Sequence, residues 1–214
     1  MAELTAGRTF PLRIPSARAL RIYVVAAVLL TLEFVLVYGF CNWRASQRTE
    51  FYHFFFEWER QAPFVPWMIY VYFSLNALTS LTAFVLDEET LVSYCKAIGL
   101  SILIAGIFFL LFPAEMGIQR PASVPGYEGP FGLLHGLDHP HNLVPSLHVT
   151  FSALSVFFMS PRRPAWFQGI LVAWLALICA AVVLTHQHHL ADIVGGFALA
   201  AFCHSRFGRG AFSR

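Results

Sequence analysis

Charge is scarce in this chain. Only 12% of its residues are Asp, Glu, Lys or Arg, against roughly 25% in soluble domains. That deficit excludes an ordinary water-soluble globule, and the net charge of +2 is too small to call for a nucleic-acid partner. Cysteine is sparse as well. Cys41, Cys95, Cys179 and Cys203 are scattered among apolar segments with no CxxC, which excludes a disulfide framework and a thiolate zinc site. No repeat or low-complexity stretch divides the chain, so residues 1–214 read as a single domain. No cleavable leader is expected either. The first apolar run has a basic flank in Arg8, Arg13, Arg18 and Arg21, but no A-x-A-like site follows it, and YGFC before Asn42 is a poor lipobox. That run is expected to stay as a helix.

What is abundant is apolar surface. Hydrophobic residues make up 57% of the chain and Phe alone supplies 22 positions; the mean hydropathy is +0.63. A transmembrane helix takes about 20 mostly apolar residues. Six segments approach that pattern: residues 20–40, 66–86, 94–112, 144–159, 166–184 and 190–204. The fourth and sixth are short, and each opens beside a polar cluster, as a helix end lining a cavity does. The expected fold is an all-α, six-transmembrane-helix bundle, a multi-pass protein of the bilayer. Residues 49–66 (TEFYHFFFEWERQAPFVP) mix aromatics with charge. They read equally as a short interfacial helix on the non-cytoplasmic side or as an aromatic belt.

Six spans put both termini on one side. That side also receives Lys96, Arg162, Arg163, Arg206, Arg209 and Arg214 besides the four N-terminal arginines, while Arg44, Arg48, Arg60 and Arg120 face the other. The bias places both termini in the cytoplasm. His135, His139, His141, His148, His186, His188 and His189 then gather at the non-cytoplasmic face; His53 lies at its edge and His204 at the opposite end.

Three short pieces carry candidate chemistry. In THQHHLADIVGG, from Thr185, His188 and Asp192 are four apart and share a helix face. The carboxylate fixes the imidazole tautomer and leaves its other nitrogen free to attack. An intramembrane Asp needs such a role, because burying it unpaired is costly. In HNLVPSLHV, from His141, Pro145 suits a first helical turn, so Ser146 and His148 sit at a helix N-terminus where backbone N–H groups attract an anion. His148 is a candidate proton donor to a departing alkoxide. In GIQRP, from Gly117, Arg120 offers the guanidinium fork that matches phosphate oxygens. Two histidines, an Asp, an Arg and a helix N-terminus suit phosphoryl transfer.

In these motifs the sequence resembles the type 2 phosphatidic acid phosphatase superfamily of membrane lipid phosphatases and phosphotransferases. The resemblance rests on Arg120-Pro121, then Pro145-Ser146-Leu147-His148, then His188 with Asp192, followed by Gly196, in that order over residues 113–196. It implies His188 as nucleophile, Asp192 as its partner and His148 as the acid for the leaving group. It implies Arg120 and Ser146 as the phosphate-binding pair, a phosphohistidine intermediate, and no metal or cofactor. The substrate would be a lipid phosphate or phospholipid head group, and the acceptor water or an alcohol. Three positions depart from the phosphatase pattern. Pro113 stands where that branch has a Lys, Leu147 where it has a Gly, and Val182 where it has a second Arg. The Pro-Ser-Leu-His form and the Thr-His-x-His run resemble the inositol phosphorylceramide synthase branch, which moves a phosphodiester head group between lipids. One Arg meets the single charge of a phosphodiester. His141 and His186 are the auxiliary donors that would compensate for the missing cations.

Two other readings of the histidines stand beside this one. A membrane metalloenzyme of the desaturase or hydroxylase kind would bind zinc or iron through the outer histidines, but His186-Gln187-His188-His189 falls one residue short of an HxxHH box. A proton-coupled lipid transporter would use the His/Asp pair and leaves Arg120 and Pro-Ser-Leu-His without a task. His135, His139 and His189 are expected to rim the site, Asp138 to cap the loop before the fourth span, and Glu33 to snorkel or pack against a neighbouring helix.

Overall fold

The computed structural model describes residues 12–121, 123–137 and 140–211. Arg8, Asp138, His139 and Arg214 of the sequence-based expectations lie outside them.

Ser16 opens the first helix, α1 (Ala17–Ala45), by accepting the Ala19 N–H at 2.9 Å. Val28, Leu29, Leu36 and Phe40 of α1 are exposed. A continuous apolar face of this kind is stable against lipid, not water. The next span is interrupted. Helices α2 (Met68–Phe73) and α3 (Leu75–Val85) break at Ser74. Its hydroxyl bonds back to the Val71 carbonyl at 2.6 Å and accepts the Trp174 indole N–H at 2.8 Å, a back-bonding that bends helices. Asp87 caps α4 (Glu88–Leu111) through the Thr90 N–H at 2.8 Å. Helix α4 lies close along α1 because it presents Gly99 and Gly106 there. A side chain at Gly106 would collide with Val37, and one at Gly99 would come within 3.1 Å of the Glu33 carboxylate. Small residues permit such approach inside a membrane, and Glu33 takes the helix-packing role expected of it.

Helix α5 (Glu128–Leu137) is not among the segments expected from the sequence. Its glycines obscure it, yet Pro130 falls in its first turn, where a missing N–H costs nothing. It buries Phe131 and Leu134 and exposes Leu133 and Leu137. Three helices complete the bundle: α6 (Leu147–Met159), α7 (Ala165–Leu184) and α8 (Leu190–Ala211).

Helices α1, α4, α7 and α8 and the α2–α3 pair are long and apolar enough to cross a bilayer, and the chain is an integral membrane protein. The sixth expected span, α6, has 13 residues, about 20 Å of helix against a hydrocarbon core of about 30 Å. It packs against α3, α4, α7 and α8 and is buried on all sides. Its shortness therefore reflects a place inside the bundle, not a lipid-facing one.

Residues 49–66 form no continuous interfacial helix. Glu57–Gln61 is a 3-10 turn and the rest is irregular, with Tyr52 paired to Ala114 in an isolated bridge. This segment is laced to the same end of the bundle as the starts of α6 and α8. Val65 N–H donates to the Leu184 carbonyl, and Tyr52 N–H to that of Pro113.

Candidate active site

The loop between α7 and α8 folds back on the helix it leaves. The Val182 carbonyl accepts the N–H groups of both Gln187 and His188, each at 2.9 Å. His186 takes a left-handed turn at φ 54°, which reverses the chain and delivers His188 to the mouth of α8. There Asp192, one turn into α8, receives it. His188 Nδ1 lies 3.1 Å from Asp192 Oδ2, and the His189 N–H donates to the same oxygen at 2.8 Å. His188 and Asp192 are 5% and 1% exposed. Nδ1 is committed to the carboxylate, so Nε2 of His188 is the nitrogen left for chemistry.

His148 comes from the opposite side, in the first turn of α6. Its ring centroid is 6.5 Å from that of His188. Both rings line one cavity of about 470 Å³. Tyr72 of α2 completes this side: its hydroxyl is 3.1 Å from His148 Nδ1 and its ring centroid 3.9 Å from the imidazole.

Ser146 is the N-cap of α6. It is fully buried, its hydroxyl accepts the Val149 N–H at 3.4 Å, and its own N–H donates to the Asp192 carbonyl at 3.0 Å. Helix α6 begins at Leu147, so Pro145 precedes the helix and does not occupy its first turn. The α6 and α8 starts are held together at Gly196, where a Cβ would come within 2.8 Å of the Ser146 carbonyl. Thr150 Oγ1 bridges the same seam, donating toward the carbonyls of Ser146 and Gly196.

Arg120 is half-buried in the irregular stretch after α4. That stretch is tied to the site three residues earlier, where the Gly117 N–H donates to His189 Nε2 at 3.1 Å. The other face of His189 meets Glu59. This carboxylate is 2% exposed. It lies 3.4 Å from His189 Nδ1 and accepts the N–H groups of Leu190 at 2.8 Å and Phe56 at 2.9 Å. Burial pushes the His189 imidazole below its usual range, against the opposing pull of Asp192 and Glu59. His189 is thus a joint between the 49–66 segment, the Arg120 stretch and the start of α8.

The two auxiliary histidines are engaged with backbone. His141 Nδ1 lies 3.2 Å from the Ala114 carbonyl, with its ring stacked on Phe51 at 4.2 Å; His186 Nε2 lies 3.0 Å from the Ala62 carbonyl. Val182 is fully buried in the core. Its backbone serves the loop, and its side chain brings no donor. Among the described residues no group of three His, Cys, Asp or Glu side chains converges as a metal site does.

Two residues here are not singled out by the sequence. Glu59 has one legible signal, a carboxylate inside an aromatic run that must find partners once buried. Tyr72 has none, since an aromatic in an apolar span is ordinary.

A bundle of apolar helices, with a carboxylate-paired histidine and a second histidine facing one cavity, defines a membrane-embedded helical protein with a histidine–carboxylate site. The PAP2 superfamily model matches residues 91–208, more than half of the chain, and the chain belongs to the PAP2 superfamily. No curated protein and no solved structure matches it significantly. PAP2 proteins are phosphatases and phosphotransferases, so this chain is a membrane enzyme of phosphoryl transfer on phosphate-bearing substrates. The match takes in Arg120, His148, His188 and Asp192; it leaves out Glu59 and Tyr72.

Proposed function

We propose that the whole chain is one membrane-embedded domain that transfers a phosphoryl-containing head group from a lipid through a phosphohistidine on His188. The observation that carries this reading is the His188–Asp192 contact of 3.1 Å beside His148 in a shared cavity. His188 Nε2 attacks phosphorus. The bond to the departing oxygen breaks, and that oxygen takes a proton from His148 Nε2. Asp192 stabilises the His188 ring as positive charge develops on it. Water or a lipid alcohol then attacks, His148 takes its proton back, and the P–N bond breaks. Arg120 meets the phosphate charge, aided by the backbone at the start of α6; the Ser146 hydroxyl holds that start in place. No step calls for a metal or a cofactor.

Between hydrolysis and transfer we favour transfer. The positions of the two further cations hold buried Pro113 and Val182. A phosphodiester carries one negative charge and a monoester dianion two, so one Arg suits the diester. This is the chemistry of the inositol phosphorylceramide synthase-like branch. The Lys/Arg bias puts both termini in the cytoplasm and the site on the periplasmic, lumenal or extracellular face.

The test is turnover in proteoliposomes with a donor phospholipid labelled in its head-group phosphate. Label in a new phospholipid supports transfer, label in free phosphate supports hydrolysis, and undiminished turnover in His188→Ala overturns the phosphohistidine route. Orientation is checked with a cysteine introduced at Gly126; labelling from the cytoplasmic side alone reverses the assignment.

A further inference from the structure

The cavity that holds His148 and His188 does not end at them. It follows α1 from Tyr38 down to Tyr23, about 22 Å of helix axis at 1.5 Å per residue. At its far end the Tyr23 hydroxyl and Ser80 Oγ are hydrogen-bonded at 2.8 Å. Ala26 and Ala27 of α1 keep the shaft open where it faces α3.

The shaft offers an occupant almost no unmet hydrogen bond. Asn76 Nδ2 donates to the Phe73 carbonyl, and the hydroxyls of Thr79 and Ser80 to that of Asn76. Each of these donors is already engaged within the α2–α3 pair. A groove whose lining is mostly apolar takes hydrocarbon. The reactive end differs. Asn142, 2% exposed, donates through Nδ2 to Asn42 Oδ1 at 2.8 Å and to the Tyr38 carbonyl at 3.3 Å. Both partners are acceptors, which settles the orientation of the amide. Asn142 Oδ1 is left buried with no hydrogen-bond partner among the described residues, and Asn142 lines the same cavity. Buried acceptors ordinarily have a donor.

We infer that the chamber seats a lipid alcohol: one hydrocarbon chain lies along α1, and the hydroxyl at its head donates to Asn142 Oδ1 near His148. The inference rests on the phosphoryl-transfer reading of His148 and His188. A lipid alcohol is released when a head group is removed and consumed when one is added, so one seat serves either direction. The shaft is long enough for one extended chain and outruns one leaflet, about 15 Å or half the hydrocarbon core. Its wall along α1 lies outside the family match, so this seat belongs to the chain and is not read from the family.

The experiment uses the full chain in nanodiscs and a long-chain primary alcohol carrying a diazirine near its tail. Labelling is expected at Ala27, Leu30 and Ile98, which line the shaft without facing lipid, and blocked when Ala27→Trp fills it. The unlabelled alcohol should compete about tenfold better than its methyl ether, the loss of one hydrogen bond. Label spread over the lipid-facing positions Leu29 and Leu36 overturns the inference without need of any variant, as does equal competition by the ether. Turnover of a short, water-soluble phosphate ester tests the catalytic reading separately. It should persist in Ala27→Trp, which also shows that the variant is folded, and its absence in the unaltered protein overturns the catalytic reading while the labelling pattern still stands.

Discussion

The Tyr72 hydroxyl lies 3.1 Å from Nδ1 of His148 and the two rings pack at 3.9 Å between centroids, joining α2 to the first turn of α6. A phenol oxygen accepts an N–H as readily as it donates an O–H. In the proposed mechanism it accepts from Nδ1 whether His148 is charged or neutral, which leaves Nε2 alone to exchange a proton with the reacting oxygen. His188 has a carboxylate on its Nδ1 instead. In the proposed mechanism, these different partners divide the two imidazoles into a nucleophile backed by charge and a proton carrier backed by a neutral group.

Tyr72→Phe keeps the ring and removes the oxygen. The expected result is a kcat lower by roughly tenfold, the worth of one hydrogen bond, with KM little changed and the pH–rate profile displaced. His148→Ala should cost more, on the order of 10²–10⁴. Steady-state kinetics across pH on both variants checks this. A Tyr72→Phe enzyme with an unchanged profile would reduce Tyr72 to packing.

Asp192→Asn should slow formation of the covalent intermediate, and His188→Ala should abolish it. The intermediate is trapped by denaturing the enzyme during turnover of phosphate-labelled donor; a phosphohistidine is labile to acid and survives alkali. Label that survives acid would point to a different nucleophile.

Acid should loosen the 49–66 segment. His189 meets Glu59, Asp192, His188 and the Gly117 N–H. Its folded-state affinity for protons lies below the usual histidine range because burial disfavours the charged ring. The unfolded chain therefore takes up the proton first. Stability from this group is complete above about pH 6.5 and is lost as pH falls below that through the lowered folded value. Thermal melts in detergent from pH 7.5 down to 5 should show a falling Tm. In His189→Gln, whose side-chain oxygen can still accept from Gly117, the fall should be shallower. Identical slopes would remove His189 from the account.

Gly196→Val should destabilise by about 1–3 kcal/mol, the usual cost of overpacking. Its Cβ would press within 2.8 Å of the Ser146 carbonyl and 2.9 Å of Val149 Cβ. The same displacement stretches the Ser146 N–H link to Asp192, so activity should fall further than stability alone accounts for. Thermal unfolding and kinetics on one preparation separate the two effects.

Membrane residence is legible in the amino-acid sequence alone, because apolar run length and charge deficit are local properties and the bilayer selects on them directly. The catalytic candidates are legible for the same reason. His188 and Asp192 are one helical turn apart, and Pro-Ser-Leu-His and Arg120-Pro121 stand at span ends in a fixed order. What stays hidden depends on which helix faces which. Tyr72 meets His148 across 76 residues, Glu59 reaches Leu190 across 131, and Asn142 reaches Asn42 across 100. Inside a membrane, lipid-facing and core-facing residues are equally apolar, so composition cannot tell α6, buried on every side, from α1, open to lipid. The sequence thus determined the medium, the chemical groups and their order along the chain. Only the tertiary structure decided which aromatic meets His148, which carboxylate pins residues 49–66 to the start of α8, and that a chamber runs beneath the two histidines, because each of these arises where distant segments pack and not within any one of them.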